Sequence, residues 1–117
     1  MFFNKIFKAK TKRFNITDKQ FTSVQRMLSE VYQYYLENSN KTFIVRIPSE
    51  KYGLPYTDEF TFKPHEEGLY EVNLFEAEAQ SYIYKKILYE SDIAKEIEIL
   101  AKISGNPKEN GYKLIQF

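Results

Sequence analysis

Three short segments that alternate apolar and polar residues lie between two stretches whose apolar residues recur at helical spacing, and this order points to helices packed on a sheet. The first segment, Thr42 to Ile47, is rich in β-branched and aromatic residues and sets Phe43, Val45 and Ile47 on one face. Pro48 has no N–H to give to a ladder, so the strand is expected to stop there. The second runs from Glu59 to Lys63 with Phe60 and Phe62 on one face. The third, Leu69 to Phe75, alternates Tyr70, Val72 and Leu74 with Glu71 and Asn73. The connection Pro64 to Gly68 places a glycine late in the loop, where a positive φ is often needed, and reads as an antiparallel hairpin.

Two features mark a helix start at Thr17. Thr17 and Gln20 have the spacing of a capping box, and Ile16 and Phe21 have that of a hydrophobic staple. Phe21, Val24, Leu28, Val31 and Tyr35 then line one helical face, which ends near Asn38-Ser39-Asn40. The helical period returns at Ala77. Ala79, Ile83 and Ile87 form one stripe, and Ile93, Ile97 and Leu100 another. Lys86 and Glu90 would interrupt a continuous apolar face, so a break is expected near Ser91-Asp92. Gly105-Asn106-Pro107 ends the second helical region. Asn110-Gly111 is a turn, and Tyr112 to Phe117 reads as a last strand with Tyr112 and Leu114 inward. A further strand is expected at Lys12 to Ile16. The fold class expected is α+β, an antiparallel sheet of about four or five strands with two or three helices packed on one face.

With 117 residues the chain has the length of one domain, residues 1–117, in which 1–13 form a basic N-terminal arm. It has no cysteine, which excludes a disulfide framework and any thiolate metal site. Its ten Tyr and ten Phe must supply much of the core instead. No apolar run approaches a bilayer's thickness and no secretory h-region opens the chain, so a cytoplasmic location is expected.

The same residues argue against catalysis. His65 is the one histidine and sits in the expected hairpin tip beside Glu66 and Glu67, where a solvated turn accounts for all three. Asp58-Glu59, Glu66-Glu67 and Glu76 with Glu78 are paired acids without an apolar setting that would adapt them to acid catalysis. The four glycines form neither a Walker loop nor a dinucleotide fingerprint. No catalytic residue, metal ligand or cofactor is therefore expected, and the chain reads as a non-enzymatic protein.

The order helix-strand-strand-strand-helix from Asp18 to Ser104 resembles a double-stranded-RNA-binding domain in outline. That family carries lysines at the start of its second helix, where this chain has Glu76-Ala77-Glu78-Ala79, and acids there would repel phosphate. Nucleic-acid binding is instead the second expectation from the arm: Lys5, Lys8, Lys10, Lys12 and Arg13 precede the first acid, Asp18, and Phe2, Phe3, Ile6 and Phe7 recur among them.

The leading expectation is protein binding, of an accessory, inhibitor or immunity type. The connection Pro48 to Asp58 is long for adjacent strands and sets Tyr52, Leu54 and Tyr56 between prolines; tyrosine brings large contact area at small entropic cost. Tyr34 and Tyr84 are expected to point away from the apolar faces of their helices and to extend that surface. The number of tyrosines also admits a homodimer.

Overall fold

A computed structural model of the chain describes residues 11–18, 20–38, 40–51, 54–76, 81–102 and 111–115. The elements follow in the order β1 (Lys12–Asn15), α1 (Phe21–Glu37), β2 (Phe43–Lys51), β3 (Leu54–Pro64), β4 (Leu69–Glu76), β5 (Ser81–Tyr89), a 3-10 turn (Glu90–Asp92), α2 (Ile93–Lys102) and β6 (Lys113–Leu114). The fold is α+β; the described residues form two helices and a six-stranded sheet whose spatial order is that of the sequence. The expected all-antiparallel sheet of four or five strands is corrected in two respects. β1 runs parallel to β2, because the connection between them is a helical crossover, and β5 occupies part of the expected second helix.

One face of the sheet carries the core. Register places Phe14, Val45, Phe60, Leu74 and Tyr84 in one row, and Phe43, Phe62 and Val72 in the next. Phe43 stacks on Phe62 with ring centroids 5.0 Å apart. Onto these rows α1 lays Val24, Met27 and Val31, and α2 lays Ile93, Ile97, Leu100 and Ala101, all buried. Each large side chain buried in this way stabilises the fold by about 1.5–3 kcal/mol before entropy is counted. On the opposite face, Arg46 and Glu59 pair across β2 and β3 at 3.1 Å, and Lys63 and Glu71 across β3 and β4 at 3.6 Å.

The helix start at Thr17 does not form. α1 begins at Phe21 with Gln20 as its cap residue; the Gln20 N–H donates to Asp18 Oδ1 at 3.0 Å, and no side chain caps the helix from Gln20. Ile16 is held in the sheet instead, its N–H donating to the Arg46 carbonyl at 2.9 Å. With Ile16 buried there, Phe21 has no staple partner and is 75% exposed. The other end falls where expected. The Asn38 backbone and side chain both donate to the Tyr34 carbonyl, and Asn40 takes a left-handed φ of 62°.

The segment read as helical from Ala77 becomes β5 over Ser81–Tyr89, antiparallel to β4. Its run of Tyr, Ile and Leu suits a pleated, half-buried surface, and pairing with β4 overrides the helical stripe. The break near Ser91-Asp92 is present as the 3-10 turn that precedes α2. The hairpin at Pro64–Gly68 is present too, with Gly68 at φ 78° and the His65 N–H donating to the Leu69 carbonyl. At the C-terminal end Tyr112 is buried as expected, whereas Leu114 is exposed. Among the described residues no helix is long and apolar enough to cross a membrane.

Candidate functional site

The expected long loop between Pro48 and Asp58 is a hairpin arm. β2 continues through Pro48 and pairs with β3 in unbroken register as far as Lys51 opposite Leu54. Pro48 does not end the strand, and the reason lies in which way each residue faces. Arg46 turns its carbonyl toward β1, so Pro48, two residues on, turns its nitrogen to the same side. β1 pairs only as far as Arg46, so among the described strands that side is open and the missing N–H has no ladder partner to lose. β3 repeats the device. Its pairing with β4 begins at Glu59, and the alternation sends the Pro55 nitrogen to the side that β4 does not reach. From Pro48 opposite Thr57 to Lys51 opposite Leu54, the two strands run beyond both neighbours for about 13 Å.

A second cluster ties β5, α2 and the C-terminal segment together. Lys86 lies opposite Val72, on the core face, and its Nζ donates to Glu96 Oε1 at 2.7 Å. The Tyr112 hydroxyl donates to Glu96 Oε2 at 2.8 Å. Glu96 is 4% exposed and Tyr112 is 2% exposed, so a carboxylate is held in the core with a partner on each oxygen. The Lys86 amine also lies 5.4 Å from the centre of the Tyr112 ring. Burial, with the Glu96 charge beside it, pushes the Tyr112 phenol far above its ordinary value. Gly111, at φ 85°, lets the backbone pass close to Lys86: a Cβ there would stand 3.4 Å from the lysine Cε. Beside this cluster is an open cavity of about 460 Å³ lined by Leu69, Ile87, Leu88, Tyr89 and Ile99, with Lys86, Asp92, Lys95 and Glu96 among its polar groups.

The sequence-derived site residues fall in different places. Tyr52, Lys5, Lys8 and Lys10 lie outside the described residues; Leu54 and Tyr56 are on the β3 side of the arm. Lys12 and Arg13 are exposed on β1. Tyr34 and Tyr84 do not extend an outer surface as expected. Both are half-buried against the core, Tyr34 edge-on to Phe14 at 5.6 Å and to Phe43 at 6.2 Å, and Tyr84 lies in β5 on the row of Leu74. The exposed apolar residues of α1 are Phe21, Tyr32 and Leu36, which share one side of the helix.

His65 lies in the exposed turn, with Nε2 3.9 Å from Glu66 and Nδ1 3.8 Å from Glu71. Among the described residues no three His, Cys, Asp or Glu side chains group to hold a metal ion. The Asn73 side chain donates to Glu71 Oε2 at 2.9 Å. This bond, helped by the charges of Lys63, Lys85 and His65 and opposed by partial burial, holds the Glu71 carboxyl below its usual value of 4.5. A lowered carboxyl stabilises the fold above its unfolded value and loses that contribution as pH falls through its folded value. Asn73→Ala is therefore expected to move the Glu71 midpoint up toward 4.5 in an NMR titration; an unmoved midpoint would refute the assignment.

No known protein family, curated protein or solved structure matches the chain.

Nothing in the local spacing identified the Lys86–Glu96–Tyr112 cluster, since its members are ten and sixteen residues apart. One signal was available: a glutamate next to Ile97 on the stripe Ile93, Ile97 and Leu100 needs a cation or donor facing it.

Proposed function

We propose that the chain is a non-enzymatic binding protein of accessory, inhibitor or immunity type, acting by protein–protein contact through the β2–β3 arm. The projection of the arm beyond both neighbouring strands carries this reading. An isolated two-stranded ribbon is marginal in water, and one that runs on past its neighbouring strands is better explained by contact with a partner. Pro48 and Pro55 each remove a donor from a side that the described strands leave unpaired, which disfavours strand addition along the arm. Contact is then made by side chains, and Tyr52, Leu54 and Tyr56 are the residues of the arm suited to it.

The test is affinity capture from native extract with and without nuclease, using wild-type protein and the variant Tyr52→Ala/Tyr56→Ala. A co-purifying protein is expected to survive nuclease and to be lost, by about tenfold or more, with the double variant, while circular dichroism and thermal midpoint stay unchanged. Equal recovery by the variant would refute the arm's role.

The second reading is nucleic-acid binding through the basic arm. It is favoured by register: Arg13, on β1, shares an outer-face row with Lys85 on β5 and Lys113 on β6, adding described cations to Lys5, Lys8 and Lys10 of the sequence. Binding to DNA or RNA that weakens steeply with salt and disappears on deletion of residues 1–13 is its expected signature. Affinity that is absent or indifferent to salt removes it.

A further inference from the structure

The helix layer carries an apolar strip that the core does not use. Phe21, Tyr32 and Leu36 of α1 are 75%, 62% and 62% exposed. With 3.6 residues per turn these three fall within about 60° of one another, and Gln25 and Ser29 continue the same strip for about 22 Å along the helix. Leu28 and Tyr35, both half-buried, join it to the buried side formed by Val24, Met27 and Val31. The charged residues of α1, Arg26, Glu30 and Glu37, all stand about 60° or more beyond its other margin. Large apolar side chains exposed singly are ordinary, whereas three aligned on an uncharged strip mark a contact surface.

We propose that this strip is the interface of a two-fold homodimer, in which α1 of one copy packs antiparallel to α1 of a second. The occupant is read from the order of residues along the strip. An axis between Leu28 and Ser29 sets Phe21 level with Leu36 of the partner subunit, and Gln25 level with Tyr32 of the partner subunit. Each large apolar group at one end then meets one at the other, and the Gln25 amide has a tyrosine hydroxyl to bond. Ser29, the smallest side chain of the strip, lies at the crossing, where it lets the helices approach to about 8–10 Å. A parallel pair would instead set Gln25 against its own copy and align the two helix dipoles, which the antiparallel pair opposes. Charge agrees with a second copy. The strip carries none, so it has nothing with which to select a charged partner, and at a net charge of +1 two copies repel only weakly. Phe21, Tyr32 and Leu36 of the two copies together withdraw about 800 Å² from water, and their polar neighbours bring the contact to about 1,000 Å², the lower end for a specific pair. A dissociation constant of about 1–100 μM follows. The strip lies on α1 and the arm on β2 and β3, so the inference stands apart from the arm's role, and a dimer presents two arms to a partner.

Sedimentation of the full chain from about 1 μM to about 1 mM tests this, with the mass expected to rise from 14.0 kDa toward twice that value. Tyr32→Glu and Leu36→Glu each place a charge in the contact and are expected to raise the dissociation constant by about tenfold or more. The thermal midpoint of the dilute variants is expected to stay unchanged, because both sites are exposed. Orientation is read by cross-linking, since the chain has no cysteine of its own. When Phe21→Cys and Leu36→Cys are mixed under oxidising glutathione, the disulfide between the two variants is expected to exceed either self-linked product by about tenfold. A chain that stays monomeric at about 1 mM would overturn the proposal. So would association that survives Tyr32→Glu and Leu36→Glu, association that Tyr52→Ala/Tyr56→Ala abolishes, or self-linked products in equal or greater yield than the mixed one.

Discussion

Lys86→Met is expected to destabilise the protein by about 3–5 kcal/mol in denaturant titration, enough to unfold much of a population whose total stability is of the order of 5–15 kcal/mol. The loss arises at Glu96 more than at Lys86. The lysine side chain is 24% exposed and can turn to water, whereas the Glu96 side chain is 5% exposed and cannot. Without the ammonium, the Glu96 carboxylate remains in the core with the Tyr112 hydroxyl alone. Removing the other partner should cost less. Glu96→Gln keeps the shape and an acceptor, frees Lys86 to solvate, and is expected to lose about 1–3 kcal/mol. The asymmetry separates a desolvated carboxylate from a symmetric ion pair, since the latter predicts equal losses. Replacing the whole cluster, Lys86→Met with Glu96→Leu and Tyr112→Phe, removes every unpaired polar group together and is expected to recover most of the stability of the single variant. If the triple variant proves no more stable than Lys86→Met, the account of the cluster as a mutually compensated polar group is wrong.

This cluster also explains why β5 was hard to read. A period-two pattern in Ser81–Tyr89 would place Tyr84, Lys86 and Leu88 on one face, and a lysine in the middle of an inward row argues against a half-buried strand. The lysine is allowed there by a carboxylate from α2, and no local rule links residues that meet only through the fold. Phe43, Val45, Phe60, Phe62, Val72 and Leu74 were legible because within each of their strand segments the neighbouring inward residues are apolar. The helix cap failed for a related reason. Thr17 and Gln20 are a sound local signal, yet Ile16 is worth more as an extension of β1 beside Arg46 than as a staple, and burial outweighs the cap. Pro48 misled by an assumption about neighbours. A proline ends a strand that is flanked on both sides, and β2 above Arg46 is flanked only by β3 among the described strands. The arm was thus visible in composition, as a tyrosine-bearing stretch between prolines, but not in geometry.

Above pH 10 the protein is expected to lose stability steeply, and Tyr112 is the main cause. Burial first, then the neighbouring Glu96 charge and the hydrogen bond to it, push its phenol far above the ordinary value of 10.0. Tyr70, also buried in the core, is raised as well, by burial and by Tyr34. A group raised on folding contributes stability that is complete below its unfolded value and is lost as pH climbs toward the folded one. In the unfolded chain both phenols ionise near pH 10, and in the folded chain they stay protonated, so alkali favours the unfolded state. Tyr112 alone contributes a slope of about 1.4 kcal/mol per pH unit over that range. Two measurements check this. Of the ten tyrosines, Tyr70 and Tyr112 are expected to develop tyrosinate absorbance only with the unfolding transition. Tyr112→Phe is expected to lower stability at neutral pH by about 1–3 kcal/mol, because Glu96 loses a donor, while flattening the alkaline limb by the slope that Tyr112 supplied. A variant that unfolds with the same alkaline slope as the wild type would place the buried proton elsewhere.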